Sequence, residues 1–234
     1  MVPENLEFKT KLEIANELIN EVSNSGLFPA KWIGCDSTFS ADTNFLKSLP
    51  SDQYYFAGVK SDTLVFLEKP EVGIPPYKGR GPRPKKVKVL PGEPTPVKVK
   101  DLMKQKKLEL KLTVLSEGSK GPITAYAGRI RVYRSVDGLP EGDRLWLFAR
   151  LDENGTTRFA LSNAPEGISF EEMCRASTMR WPIEQCFREG KDQIGMGHYE
   201  HRSWPAWHRH MIFVFLALQF LLGLRIRLKK KLSA

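Results

Sequence analysis

Arg180-Trp181-Pro182-Ile183-Glu184-Gln185-Cys186-Phe187-Arg188-Glu189-Gly190-Lys191 is the stretch whose reading decides the fold. Wound as a helix at about 100° per residue, positions 180, 184, 187 and 191 fall on one stripe within roughly 60° of each other. That stripe carries a carboxylate, Glu184, between two cations, Arg180 and Lys191, with Phe187 among them. An ion-pair ladder on a solvated face has the same spacing. Pro182 is tolerated in a first turn, so the spacing predicts a bend there with Glu184 near the N-terminus of the following helical segment. A second carboxylate, Asp36, ends the short apolar run Trp32-Ile33-Gly34-Cys35, where a buried strand delivers a side chain to a site. Taken alone, Asp36 is equally a turn or capping residue. One carboxylate at a strand end and one on a helix suit a hard divalent metal, which prefers oxygen ligands. On a basic chain the matching substrate is a phosphodiester.

The chain has 234 residues, enough to bury a sizeable core, and a formal charge of +9 that favours a polyanionic partner. Cys35, Cys174 and Cys186 lack metal-ligand spacing and read as reduced core thiols. The opening Met1-Val-Pro-Glu-Asn-Leu-Glu7 has neither a basic nor an apolar signal region. Near the other end, Met211 to Leu224 is almost entirely apolar and is followed by Arg225, Arg227 and Lys229-Lys230-Lys231. A run of about 14 residues falls short of the ~20 needed to span a bilayer. It therefore reads as a buried core helix with a cationic end, with no membrane partner.

Thr10-x-x-Glu13 is a capping-box pattern, and Leu12, Ile14, Ala15, Leu18, Ile19 and Val22 keep a helical period until Ser23-Asn24-Ser25-Gly26. A strand at about 31–36, a short helix at about 41–48, and strands over Tyr54–Val59 and Thr63–Leu67 complete an α/β opening. From about 70 to 107, eight prolines exclude regular elements over most of the stretch, and lysines and arginines crowd it. Arg80, Arg83, Lys85 and Lys86 are its candidate DNA contacts; a solvated linker and a phosphate-tracking arm fit equally. From about 108 to 162 the pattern turns to strands, beginning with alternating Leu108, Leu110 and Leu112, with turns at Asp137-Gly138 and Glu153-Asn154-Gly155. Ser169-x-x-Glu172 opens a helix by a second capping box. Four segments result: 1–69, a basic Pro-rich linker at 70–107, a β-rich insertion at 108–168, and helices at 169–234. His198, His201, His208 and His210 have no cysteine or acidic neighbours at zinc spacing. Tyr199, Trp204 and Trp207 read as packing residues of the last helices, with base stacking as a secondary role.

Arg180-Trp181-x-Ile183-Glu184-x-x-Phe187-x-x-x-Lys191 resembles the Tyr-Arg-Glu-Lys signature of bacterial insertion-sequence transposases with an Asp-Asp-Glu triad. The resemblance continues through Gly195–Trp204 and Trp207–His210. Upstream, Pro3–Lys11 and Trp32–Asp36 are similar to the surroundings of that family's second aspartate, and Leu161–Pro165 to the strand end before the glutamate helix. The resemblance implies an RNase H-like catalytic core interrupted by a β-rich insertion and closed by C-terminal helices. It implies that Asp36 and Glu184 are catalytic and bind Mg²⁺ or Mn²⁺, and that Arg180 and Lys191 contact DNA near the cleaved end. Double-stranded DNA, as transposon ends and target, is the implied partner, in a prokaryotic, nucleoid-associated, cytoplasmic setting.

Two departures from the pattern stand out. Ser177 occupies the place of the signature tyrosine, and no aspartate precedes Asp36. The expectation is a C-terminal fragment whose core is incomplete, lacking its opening strands and first aspartate. Such a chain would expose a sheet edge and take a second copy or an N-terminal complementing fragment as partner. Two other classes remain open on the residues: a DNA-binding remnant without phosphoryl transfer, and a basic protein docked on a membrane surface.

Overall fold

Thr10 opens the first helix as the sequence predicts: its hydroxyl accepts from the Glu13 N–H while the Glu13 carboxylate accepts from the Thr10 N–H at 2.7 Å. The resulting helix α1 (Lys11–Asn24) leads into strand β1 (Trp32–Cys35), a single 3₁₀ turn (Phe39–Ala41) and helix α2 (Thr43–Lys47). Asp42 caps α2, accepting from the N–H groups of Asn44 and Phe45, so the one helix expected at 41–48 is split in two. The computed structural model describes residues 7–77, 79, 83–118, 121–200 and 202–232. They fall into two units, one of residues 10–178 and one of residues 7–9 with those from 179 onward.

The larger unit is built on one sheet. Strands β2 (Tyr54–Val59) and β3 (Leu64–Phe66) fall where alternation places them. The proline-rich stretch then yields β4 (Val72–Gly73), β5 (Lys88–Val89), β6 (Val97–Lys98) and a helix α3 (Val99–Lys104) that periodicity did not announce. Val99 and Leu102 of α3 are fully buried, so tertiary packing rather than helix propensity sustains so short a helix. Strands β7 (Lys111–Gly118), β8 (Gly121–Val136), β9 (Leu139–Leu151) and β10 (Thr157–Ser162) follow. Leu108, expected within the first of them, lies before it and is buried against α3's partners instead. Asp137 and Gly138 take positive φ of 51° and 80°, the left-handed pair that a tight β8–β9 turn requires.

The sheet runs β1-β2-β10-β9-β8-β3-β6, with β7 also paired to β8. β8 is long enough to pair β7 through Gly121–Ala127 and β3 through Tyr133 and Arg134. Among the described strands only β1 and β2 are parallel, and β1 forms an edge of four residues. The β-rich stretch and the opening α/β stretch therefore share one sheet.

On one face, Ile130, Val132, Leu145, Leu147, Phe159 and Leu161 meet Val65 and α3. Beside that cluster, Cys35, Tyr55 and Ala57 pack with Phe45 and Leu46 of α2 and with Leu12, Ala15 and Ile19 of α1. The remaining apolar residues of α1, Ile14, Leu18 and Val22, are exposed. The opposite face is aromatic and cationic. Trp32, Phe56, Phe148 and Phe170 form a chain of ring contacts 5.4–6.3 Å apart, ending on helix α4 (Phe170–Ala176). Arg129 lies 4.2 Å and Arg131 5.0 Å from the Trp146 ring centroid. Burial lowers the affinity of both guanidinium groups for their proton.

The smaller unit holds helices α5 (Trp181–Gln193) and α6 (Trp204–Leu232). Two expectations are corrected here. Cys186 is exposed on α5, whereas Cys35 and Cys174 are buried. The expected buried core helix is instead a 29-residue helix whose Ile212, Phe213, Phe215, Leu216, Phe220 and Leu222 are exposed, with Val214 buried. One neighbouring helix cannot cover a helix that is apolar all round. The stretch Trp204–Leu228, which holds an 18-residue window of mean hydropathy 2.0, is also long and apolar enough to cross a membrane, longer than the run counted from sequence.

Candidate active site

Asp36 emerges where β1 stops. Its Oδ1 accepts hydrogen bonds from the N–H groups of Thr38 at 2.8 Å and Phe39 at 3.2 Å, and its carbonyl accepts from the Ser40 N–H at 3.0 Å. This is the turn geometry that short acidic side chains adopt. It also fixes the carboxylate plane, and Oδ2 accepts nothing among the described residues. Ser40, 2 % exposed, donates its hydroxyl to the Gly58 carbonyl of β2. Arg134, 9 % exposed on β8, donates to the Ala41 carbonyl at 3.2 Å. The turn after Asp36 is thus tied to two strands.

Glu184 sits in the first turn of α5, with Pro182 at its opening and a break after α4, as the proline predicts. Its Oε1 lies 3.3 Å from Arg180 Nη2, the i,i+4 pair of the predicted stripe, with both side chains about half exposed. Such a pair contributes about 0.3–0.5 kcal/mol, so it does little for the fold and leaves Glu184 accessible. Phe187 is 48 % exposed on the same stripe, and Lys191 is exposed in the last turn. Two turns away from Glu184, Gly190 faces Met196 and Leu218, where a Cβ would stand 2.8 Å from the Met196 methyl. α5 therefore packs on α6 through Gly190, and Glu189 of that side pairs with Arg225 at 2.7 Å. Asp36 belongs to the larger unit and Glu184 to the smaller. Among the described residues, no three His, Cys, Asp or Glu side chains gather as a metal cluster.

Arg83, Lys85 and Lys86 are exposed between β4 and β5, while Arg80 lies outside the described residues. Their segment leaves and rejoins the protein at one place. Val72 and Gly73 pair with Val89 and Lys88, the Leu90 N–H donates to the Glu71 carbonyl, and the Glu71 N–H donates to the Glu93 carboxylate. Arg83 stands over the Tyr77 ring at 5.6 Å. Ser177, the departure from the signature, ends α4, and its carbonyl accepts from Arg150 Nη1 at 3.0 Å. In the smaller unit, Trp204, Trp207 and His208 pack together with ring centroids 4.4–6.4 Å apart.

The ties of Ser40 and Arg134 were invisible in the sequence, because their partners stand 18 and 93 residues away. The cationic stack at Trp146 left a faint trace, two arginines at alternate positions of a strand.

A family profile described as DDE superfamily endonuclease matches residues 1–122. No curated protein and no solved structure matches the chain. The matched region contains β1, Asp36 and the turn tied by Ser40, and ends before Glu184. Spanning more than half of the 234 residues, it shows that the chain belongs to the DDE superfamily endonucleases.

Proposed function

We propose that this chain is a DDE-type transposase of the bacterial insertion-sequence kind, acting in Mg²⁺- or Mn²⁺-dependent DNA strand cleavage and transfer. One observation carries the reading: a strand-end carboxylate, Asp36, has one oxygen fixed by two backbone N–H groups and the other without a donor among the described residues. The RNase H-like assignment draws support from the parallel β1–β2 pair preceded by α1 and backed by α1 and α2.

The donors suit the metal. Mg²⁺ is held through one or two carboxylates together with substrate phosphates, and Asp36 and Glu184 offer hard oxygens of that kind. When bound, the ion supplies Lewis-acid stabilisation of an in-line phosphodiester displacement. The chain's own groups do the rest. Arg180, 3.3 Å from Glu184, offsets the carboxylate's repulsion of an incoming phosphate, and Lys191 adds a second cation about two turns further along the same stripe. Arg80, Arg83, Lys85 and Lys86 serve as backbone contacts that position the duplex without reading its sequence.

The test is nicking of supercoiled DNA by the chain with Mg²⁺, beside Asp36→Asn and Glu184→Gln. Loss of nicking in both variants supports the assignment, and nicking unchanged in both overturns it. Salt-sensitive DNA binding without nicking in the parent chain would identify a protein that grips DNA without cutting it.

A further inference from the structure

The turn that carries Asp36 is closed by more than its own carboxylate. A two-bond turn of this kind is a local preference that water readily competes with in an open loop. Here the residues after Asp36 are held from outside. Ser40 is buried and its hydroxyl is spent on the Gly58 carbonyl, one residue beyond Ala57, the β2 partner of Cys35. Arg134 reaches the same turn from β8 and donates Nη2 to the Ala41 carbonyl. Its other terminal nitrogen, Nη1, is buried with no hydrogen-bond partner among the described residues. The nearby acid, Glu141, has its Oε1 engaged by Lys47 at 2.7 Å. Burying a guanidinium with one donor unpartnered costs stability, and the bond to the Ala41 carbonyl is the contact that offsets the burial of the Arg134 side chain.

We propose that Ser40 and Arg134 are positioning residues for Asp36. By tying the 36–42 turn to β2 and β8 they keep the Thr38 and Phe39 N–H groups on Oδ1, and so keep Oδ2 available for a divalent cation. This rests on the reading of Asp36 as a metal-binding carboxylate. It assigns to these two residues the role that outer hydrogen-bond partners play at metal sites, where their loss weakens affinity about 10- to 100-fold.

The test uses the full chain, isotopically labelled for NMR, and Mn²⁺ alone as the probe. Ser40→Ala, Arg134→Met and Arg134→Lys are compared with the parent, and Asp36→Asn serves as the control for the ligand itself. Two quantities are read: hydrogen exchange of the Thr38 and Phe39 amides, and the Mn²⁺ concentration at which those two signals broaden. The expected result for Ser40→Ala and Arg134→Met is exchange about tenfold faster and a Mn²⁺ requirement about tenfold higher. Arg134→Lys, which keeps a cationic donor, recovers part of both. Unchanged exchange in Ser40→Ala and Arg134→Met overturns the positioning role whatever Mn²⁺ does. Faster exchange with an unchanged Mn²⁺ requirement overturns it too, leaving a fold contact. Absence of broadening in the parent, or equal broadening in Asp36→Asn, sinks the ligand reading itself and the positioning role with it.

Discussion

Burial pushes the Tyr55 hydroxyl from its ordinary 10.0 up to about 12, against the opposing pull of Arg134. A group whose folded value lies above its unfolded one contributes stability that is whole below the unfolded value and lost as pH rises through the folded value. Cys174, buried on α4, is raised by the same cause from 9.0 to about 11 and has the same sign. Thermal melts should therefore hold steady up to pH ~9 and fall steadily between pH ~9 and ~12. In Tyr55→Phe the upper part of that fall should flatten, leaving the portion that belongs to Cys174. A fall of equal steepness in Tyr55→Phe would show that the hydroxyl is not buried as described. Asp36 marks how far single residues were legible. Its place at a strand end followed from the apolar run before it, and the turn reading it allowed is the one its Oδ1 makes with the Thr38 and Phe39 N–H groups. Cys186 was misplaced because α5 meets α6 mainly through Gly190, a one-sided contact that composition does not reveal.

Among the elements, the termini were the most legible, because caps act over three residues. Thr10 with Glu13 forms the full reciprocal box, whereas at Ser169 only the hydroxyl's bond from the Glu172 N–H forms, the Glu172 carboxylate turning to Lys31 and Trp32. The order of the strands was not legible: β10 lies between β2 and β9, and such long-range pairing depends on packing rather than on any local signal. Helix α3 was hidden by the prolines that precede it and by its own lysines, and its two buried residues explain it. Gly128 exposes the same long-range logic. A Cβ on it would stand 2.0 Å from the Glu109 carbonyl oxygen, a backbone atom that cannot swing aside. Gly128→Ala should therefore cost about 1–3 kcal/mol or more in denaturant unfolding, the range of overpacking. Gly223→Ala, with nothing near its Cβ position on α6, should stabilise by roughly 0.5–1 kcal/mol. Equal effects of the two substitutions would contradict the close approach of residue 109 to β8. A third element test concerns α4: the hydrogen bond from Lys31 chiefly, and that from Trp32, hold the Glu172 carboxyl below its ordinary value. Its stabilising tie is present above the unfolded glutamate value and lost as pH falls through the lower folded one. Glu172→Gln should remove that share of acid sensitivity, read as a smaller loss of melting temperature on acidification.

For the molecule as a whole, charge is the property that both sequence and function share. A net +9 on 234 residues supplies a long-range attraction for DNA that does not depend on any one contact. What distinguishes an organised interface from general attraction is how much of the salt dependence one group of residues carries. Each phosphate contact neutralised by a cation adds about 0.9 to the slope of log affinity against log salt. Arg83, Lys85 and Lys86 are exposed on a segment whose two ends are pinned at Glu71, Leu90 and Glu93, so neutralising them leaves the sheet untouched. Their joint replacement by alanine should lower the slope by about 2–3 if each meets a phosphate. The same three charges removed from a diffuse basic surface would shift affinity slightly and leave the slope nearly unchanged. The comparison that decides is Lys104→Ala with Lys106→Ala and Lys107→Ala, three cations at the end of α3, outside that excursion. A large slope change for the first set and a small one for the second identifies the 74–87 excursion as a DNA-tracking arm. Equal changes identify a protein held to DNA by its overall charge.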